Sequence, residues 1–133
     1  MEDHHNQVLP VPARVRLTLH TGERFFGPGV CELLERIRKT GSIQAAAAEM
    51  EMSYTKAWRI LNRAEREMGA GLITRVSGGR NGGSSKLTDA GEKAITDYRQ
   101  MEARLAKFAE SLLKACEPSF MPEDSRAGQD QQA

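Results

Sequence analysis

The chain has 133 residues, of which 39% are hydrophobic and 28% are charged, and its formal net charge is +1 at pH 7. These values are typical of one small folded domain with polar tails, and the longest apolar run is far below the roughly 18 to 20 residues that a membrane-crossing helix needs. The N-terminus lacks the basic and then apolar order of a secretory signal, so we expect a cytoplasmic protein. The two cysteines, Cys31 and Cys116, are too few for a disulfide framework, and we expect both to lie in apolar surroundings.

The N-terminal part of the chain predicts a mobile lead and then a small hairpin. Residues 1–13 contain two prolines and no hydrophobic periodicity, which is typical of a flexible segment. The order RVRLTLH at 14–20 alternates polar with apolar side chains and predicts a half-buried strand. A turn around Gly22 and a short second strand at 23–26 complete the predicted hairpin.

Three helices are predicted next. A scaffold helix is expected at 28–39, because Pro28 suits a first helical turn and apolar residues then recur at helical spacing. Ser42 and Ser53 are placed to cap two further helices, the first rich in alanine and the second with one apolar side. The apolar side consists of four residues that we predict to be buried: Ala57, Leu61, Ala64 and Met68. Two helices joined by a tight turn predict a helix-turn-helix.

The residues after these helices predict a wing. Strand-like runs at 72–76 and 86–88 flank a glycine-rich loop at 77–85, and the glycines allow the backbone to approach a sugar-phosphate surface closely. The loop matches neither the P-loop order nor the dinucleotide-binding order, so we expect no nucleotide and no other cofactor. Residues 53–86 contain seven Lys and Arg against two Glu, a local net charge of +5. A basic surface of this kind attracts a phosphate backbone.

A long helix is predicted from Thr88, which suits an N-cap, to about residue 116. Its apolar residues step alternately by four and three, as in a coiled-coil seam: Ala94, Tyr98, Met101, Leu105, Phe108, Leu112 and Ala115. The seam either pairs with a second copy of the chain or folds back over the scaffold helix, and we favour a homodimer. The residues predicted to form the dimer interface are Tyr98, Met101, Leu105, Phe108 and Leu112. The polar and acidic residues 117–133 predict a disordered tail.

The predicted fold is therefore mainly α with small β: a winged helix-turn-helix domain at 14–88 and a long dimerisation helix at 89–116. The stretch GSIQAAAAEMEMSYTKAWRILNRAEREMGAGLITR, with the later SGGRNGGSSKLTDAGEKAI, resembles the DNA-binding domain of the ModE family, molybdate-responsive regulators related to the LysR-type winged helix. The resemblance covers roughly residues 14–113, and it implies a dimer formed through the helix that follows the wing. Members bind molybdate in a second region of small β-barrels, and no residue here matches that region. We therefore expect this chain not to bind molybdate.

The predicted partner is double-stranded DNA, and the chain is not expected to bind a membrane. The resemblance implies that four residues face the major groove, namely Ser53, Tyr54, Lys56 and Arg59, and that Arg80 lies over the DNA backbone. The full set of predicted DNA-contacting residues is Ser53, Tyr54, Thr55, Lys56, Arg59, Asn62, Arg63, Arg80, Asn81 and Lys86. A dimer would read a palindromic site with two helices in successive major grooves about 34 Å apart. Trp58 either packs against the domain or stacks on a base, and we favour packing.

Two other classes of function are weaker. The chain could be a protein-interaction module whose basic helix binds an acidic partner. An enzyme is not expected, because the sequence has no Ser/His/Asp or Cys/His set and no HExxH metal motif, and it has no CxxC pair for a metal.

Overall fold

The computed structural model describes residues 14–76 and 83–116. Its elements in chain order are β1 (Leu19–Thr21), β2 (Glu23–Phe26), α1 (Pro28–Thr40), α2 (Ile43–Glu49), α3 (Tyr54–Met68), β3 (Ile73–Val76), β4 (Ser84–Leu87) and α4 (Asp89–Ala115). β1 pairs with β2 and β3 pairs with β4, both antiparallel. This order confirms the predicted winged helix-turn-helix followed by a long helix. The predicted lead at 1–13, most of the wing loop and the predicted tail at 117–133 lie outside the described residues.

The first hairpin is shorter than the alternating sequence predicts. Strand β1 contains only Leu19–Thr21, so the strand predicted at 14–20 was wrong in its extent. The reason is the partner strand, which has four residues and follows a turn at Gly22 with φ +92°. The pairing therefore ends at Leu19 opposite Phe26, and the alternation before Leu19 has no strand to pair with.

Local capping defines the helix-turn-helix as predicted. Gly41 ends α1 in the left-handed conformation, and its N–H donates to the Ile37 carbonyl at 2.7 Å. The Ser42 hydroxyl accepts from the Ala45 N–H at 3.0 Å at the start of α2. The Ser53 hydroxyl accepts from the Lys56 N–H at 3.0 Å at the start of α3. The turn between α2 and α3 contains Glu51, a non-glycine residue at φ 58°.

Small buried side chains hold α3 against the other helices. Ala57, Leu61 and Ala64 have no exposed surface, and α3 packs on α1, α2 and β2. The buried partners come from α1 and α2 and include Leu33, Leu34, Ile37, Ala46 and Ala47. The fourth predicted member, Met68, is 38% exposed. That prediction was wrong, because Met68 is the last residue of α3 and lies beyond the part of the helix that the core covers.

The Glu65 carboxylate connects the wing to α3. Glu65 Oε2 accepts from the backbone N–H of Leu72 at 2.8 Å and of Ile73 at 3.3 Å. On the other strand, the Ser85 N–H donates to the Gly41 carbonyl at 2.8 Å. Hydrogen bonds therefore fix both wing strands to the helix-turn-helix.

A close backbone approach joins the wing to α4. The Thr88 hydroxyl donates to the Gly71 carbonyl at 2.6 Å and accepts from the Gly91 N–H at 3.0 Å, which confirms the predicted N-cap. A Cβ atom at Gly91 would lie 2.5 Å from the Leu72 carbonyl oxygen. Only glycine fits at this position.

The first turns of α4 belong to the core of the compact unit formed by residues 16–100. Tyr98 is 1% exposed, and its ring centroid lies 5.4 Å from that of Phe26. The Tyr98 hydroxyl donates to the Leu17 carbonyl at 2.7 Å. The prediction that Tyr98 belongs to a dimer interface was therefore wrong, because its own domain covers it.

The two cysteines differ in their surroundings. Cys31 is buried, as predicted, whereas Cys116 is exposed just after the end of α4, so that prediction was wrong for Cys116. Among the described residues, no helix combines the length and apolar character that crossing a membrane requires.

We expect Gly91→Ala to destabilise the domain by about 1 to 3 kcal/mol, because the added methyl group must displace backbone at Leu72. Chemical denaturation followed by circular dichroism measures the free energy of unfolding. Gly29→Ala is the matched control, because a Cβ atom at this helical glycine meets nothing within 4 Å. Equal stability of the two variants would contradict the close approach.

Candidate nucleic-acid interface

The centre of the site is the exposed side of α3. Successive residues of an α-helix turn by about 100°, so Ala57, Leu61 and Ala64 define one side and the opposite side faces solvent. Thr55, Arg59, Asn62 and Arg66 are exposed there and line one groove with Trp58 and Arg63. Among the described residues, Arg59 forms no ion pair and no side-chain hydrogen bond. The predicted separation of a buried stripe from a basic face is therefore confirmed for three of the four stripe residues, all except Met68.

The edge of α3 nearest the wing has a preassembled aromatic and cationic group. The Arg75 guanidinium lies 4.8 Å from the centroid of the Trp58 ring. Arg75 also donates to the Tyr54 hydroxyl at 3.2 Å, and the Tyr54 and Trp58 rings meet edge to face at 6.3 Å. Tyr54 is 41% exposed. The three side chains hold one another in a fixed arrangement at the surface.

Trp58 packs as the sequence predicts. It is half-buried against the hydrophobic core, and the wing residue Arg75 lies over its ring. Because Arg75 occupies this ring face, a base could stack on it only after Arg75 moved away.

The opposite edge of α3 meets the first hairpin. Lys56 and Arg63 line a cleft together with Arg16 and Arg24, next to the first turn of α1. Arg63 is paired with Glu23 of the hairpin at 3.3 Å. The exposed face of α3 thus has basic side chains on both of its edges.

The structure places the predicted DNA-contacting residues in different parts of the domain. Thr55, Arg59 and Asn62 lie together on the central face of α3, while Tyr54 lies at its wing edge and Lys56 and Arg63 lie at its hairpin edge. Ser53 is exposed but uses its hydroxyl to cap α3. Lys86 is exposed in β4. The residue before it, Ser85, is the cross-strand partner of Arg75. Successive strand residues point to opposite faces, so Lys86 lies on the other face of the wing from Arg75. Arg80 and Asn81 lie outside the described residues.

Arg75 lies at the edge of the basic face of α3, but the predicted list of DNA contacts does not include it. The sequence counts it only as one base of the local positive charge. Its contacts with Tyr54 and Trp58 join residues 21 and 17 positions apart, and they depend on how β3 packs beside α3. The period-two pattern of the wing strand gives no signal for this long-range pairing.

Two acidic residues near the site, Glu65 and Glu67, accept hydrogen bonds from neighbouring groups. Glu67 receives a hydrogen bond from the Thr21 hydroxyl at 2.6 Å, and this bond is the main cause that lowers the pKa of its carboxyl. Arg66 lies 3.6 Å from the same carboxylate. Glu65 binds the wing backbone. These acids are used to attach the hairpin and the wing, and they leave the central face basic.

We expect Arg75→Ala to uncover the Trp58 ring and to move its fluorescence emission to longer wavelength. Trp58 is the chain's one tryptophan, so the spectrum reports on this site alone. Lys86→Ala removes the same charge from the other face of the wing and should leave the spectrum unchanged. Identical spectra for the native protein and Arg75→Ala would contradict the stacking.

The chain resembles known proteins over this region. Residues 30–92 match the family model described as a bacterial regulatory helix-turn-helix protein of the lysR family. The molybdenum-pterin-binding protein MopB of Rhodobacter capsulatus is 41% identical over 95 residues, which are 71% of this chain and 35% of MopB. The molybdenum transport protein ModE of Herbaspirillum seropedicae is 33% identical over 96 residues, which are 72% of this chain and 34% of that protein. The chain thus spans about a third of the length of these relatives.

One similar solved structure is a crystal structure of a CbnR_DBD-DNA complex, with a TM-score of 0.49 and 23% identity over 65% of this chain and 93% of that one. The sequence relatives and the family model agree with the resemblance found from the sequence. Residues 30–92 therefore resemble the helix-turn-helix domain of lysR-family regulators, and the domain is ModE-like.

Proposed function

We propose that the chain is a winged-helix DNA-binding transcriptional regulator. The observation that carries this proposal is the exposed face of α3, where Arg59 and Arg66 are solvent-accessible while the opposite side is buried without remaining exposure. A helix of this kind fits the major groove of B-DNA. The match of residues 30–92 to the model of bacterial regulatory helix-turn-helix proteins of the lysR family supports the same function.

The side chains divide between reading bases and holding phosphates. Arg59 lies in the middle of the exposed face, where a guanidinium can donate two hydrogen bonds to a guanine edge. Tyr54 and Lys56 are in the first turn of α3, the part of a recognition helix that enters the groove. Arg63 and Arg66, nearer the end of α3, suit phosphate contacts.

The protein acts as a homodimer in this proposal, joined through the second half of α4. Met101, Phe108 and Leu112 are 39%, 61% and 50% exposed, and their spacing of seven and four residues puts them on one side of the helix. Leu105 lies between them in the same seam. Tyr98 no longer belongs to the interface, so the proposed contact begins at Met101. Two-fold symmetry of the dimer implies a palindromic DNA site.

We expect Arg59→Ala to weaken binding to a preferred DNA fragment by about 1 to 3 kcal/mol, roughly 5-fold to 150-fold, because a bidentate base contact is lost. The fragment is first selected from genomic DNA by the native protein, and affinities are measured by fluorescence anisotropy. The same fragment with its sequence scrambled shows whether preference is lost.

Lys107→Ala is the control for Arg59→Ala, since it removes one exposed positive charge from α4. An equal loss of affinity on the selected and the scrambled fragment would assign Arg59 to the phosphate backbone. If the native protein binds no duplex at low salt, the proposed function fails, and binding of its basic helix to an acidic protein becomes the better explanation.

We expect Phe108→Glu to convert the dimer to a monomer, because a charged side chain would have to be buried in the apolar seam. Analytical ultracentrifugation measures the mass in solution. Ala103→Glu introduces the same charge at an exposed position of α4 outside the seam and should leave the dimer intact. A native protein that sediments as a monomer at micromolar concentration would contradict the proposed interface.

A further inference from the structure

We propose that the β1–β2 hairpin forms a second phosphate-binding flank of the DNA interface. The hairpin patch consists of Arg16 and Arg24 from the hairpin segment together with Lys56 and Arg63 of α3. In this arrangement α3 lies between two basic flanks, the wing on one edge and the hairpin patch on the other. The inference rests on the proposed DNA-binding function and extends its footprint.

The four side chains of the hairpin patch meet around one cleft. The cleft lies between the hairpin, the start of α1 and α3, and its apolar floor includes Phe25 and Ile60. Arg16, Arg24 and Arg63 also line a second groove that runs along the hairpin beside His20. The three arginines therefore form a basic rim shared by two neighbouring depressions.

The hairpin is held in place against the helices. The Thr21 hydroxyl donates to Glu67 of α3 at 2.6 Å. The Tyr98 hydroxyl donates to the carbonyl of Leu17, the residue next to Arg16. At the other end, a Cβ atom at Gly27 would lie 3.3 Å from Thr18 Cγ2. These contacts fix the backbone directly after Arg16 and on either side of Arg24, so a bound phosphate would not have to order a loose segment.

The charge of the hairpin patch is largely available to a ligand. Within the described part of the chain, Arg16 and Arg24 are exposed and form no ion pair. Glu23 pairs with Arg63 of the patch at 3.3 Å, and its side chain is 78% exposed. The first turn of α1, which has no acidic residue and no side-chain cap, also lines the cleft and adds the positive end of a helix dipole.

The phosphodiester backbone of DNA fits the hairpin patch better than a small free anion does. Arg63 lines both the cleft of the hairpin patch and the groove on the exposed face of α3, so the basic surface is continuous. A duplex whose major groove receives α3 has a phosphate strand along each edge of that groove. The strand on the side away from the wing would reach Arg16 and Arg24. The exposed positions of these arginines suit a polyanion that passes over the surface.

The test measures how DNA affinity depends on salt for the full chain and for the Arg16→Ala/Arg24→Ala variant. Each phosphate contact contributes roughly 0.9 to the slope of log K against log salt concentration. Loss of two contacts should therefore lower the magnitude of the slope by about 1.8. The loss of affinity should be the same on the selected and the scrambled fragment, because phosphate contacts do not depend on sequence.

Three further variants make the result specific. Lys107→Ala/Lys114→Ala removes the same net charge from exposed positions of α4 and should leave the slope close to that of the native protein. Arg16→Lys/Arg24→Lys keeps both charges and should retain most of the slope. Glu23→Gln releases Arg63 from its acidic partner and should increase the affinity.

A slope unchanged in Arg16→Ala/Arg24→Ala, in a protein with native circular dichroism and native thermal unfolding, would overturn the hairpin patch. A loss equal to that of the α4 control would also overturn it, because the effect would then come from net charge alone. Both results leave the native protein bound to DNA, so they are distinguishable from failure of the proposed function, in which the native protein binds no duplex.

Discussion

The site depends on how closely α3 can approach α1 and α2. Two of its three fully buried contact residues, Ala57 and Ala64, are alanines, and α2 contributes Ala46 and Ala47 from its own buried side. Small side chains allow helix axes to come near one another, while Leu61 fills the space that remains. Because one side of α3 is used completely in this packing, the opposite side is left to solvent. The same residues therefore determine both the core and the orientation of the basic face.

Ion pairs away from α3 explain how a chain of net charge +1 presents a strongly basic surface. On α1, Arg36 lies between Glu32 and Glu49 at 2.7 Å from each. Arg99 donates two hydrogen bonds to Glu35, and this interaction lowers the pKa of the Glu35 carboxyl. These pairs are partly exposed, so their effect on stability is small. Their effect on charge is larger, since they neutralise the scaffold and leave an excess of cations over acids on α3 and the hairpin.

The elements and caps were predictable because their causes are local. Ser42, Ser53 and Thr88 each act within three residues of their own position, and such hydrogen bonds follow from sequence alone. The role of Tyr98 was not predictable in this way. A four-three spacing shows that one side of a helix is apolar, but it does not show whether a second chain or the helix's own domain covers that side.

The predicted extent of the first strand was wrong and Arg75 was missing from the predicted site for similar reasons. Alternation suggests a strand from residue 14, yet strand length also depends on the partner, and β2 has only four residues. Arg75 reaches Trp58 only because the wing packs beside α3, a contact between elements distant in the chain. The basic character of α3 follows from composition and periodicity, whereas the neighbours of each cation follow from tertiary packing.

The turn between α2 and α3 contains a residue whose backbone conformation lowers the stability of the domain. Glu51 adopts φ 58°, a left-handed conformation that disfavours a side chain with a Cβ atom and that costs on the order of 1 kcal/mol for a residue other than glycine. Asparagine or glycine tolerates this backbone more readily. Position 51 therefore offers a route to a more heat-resistant domain that leaves the cations of α3 untouched. A domain stabilised at position 51 would allow DNA binding to be measured for surface variants that are otherwise too unstable to assay.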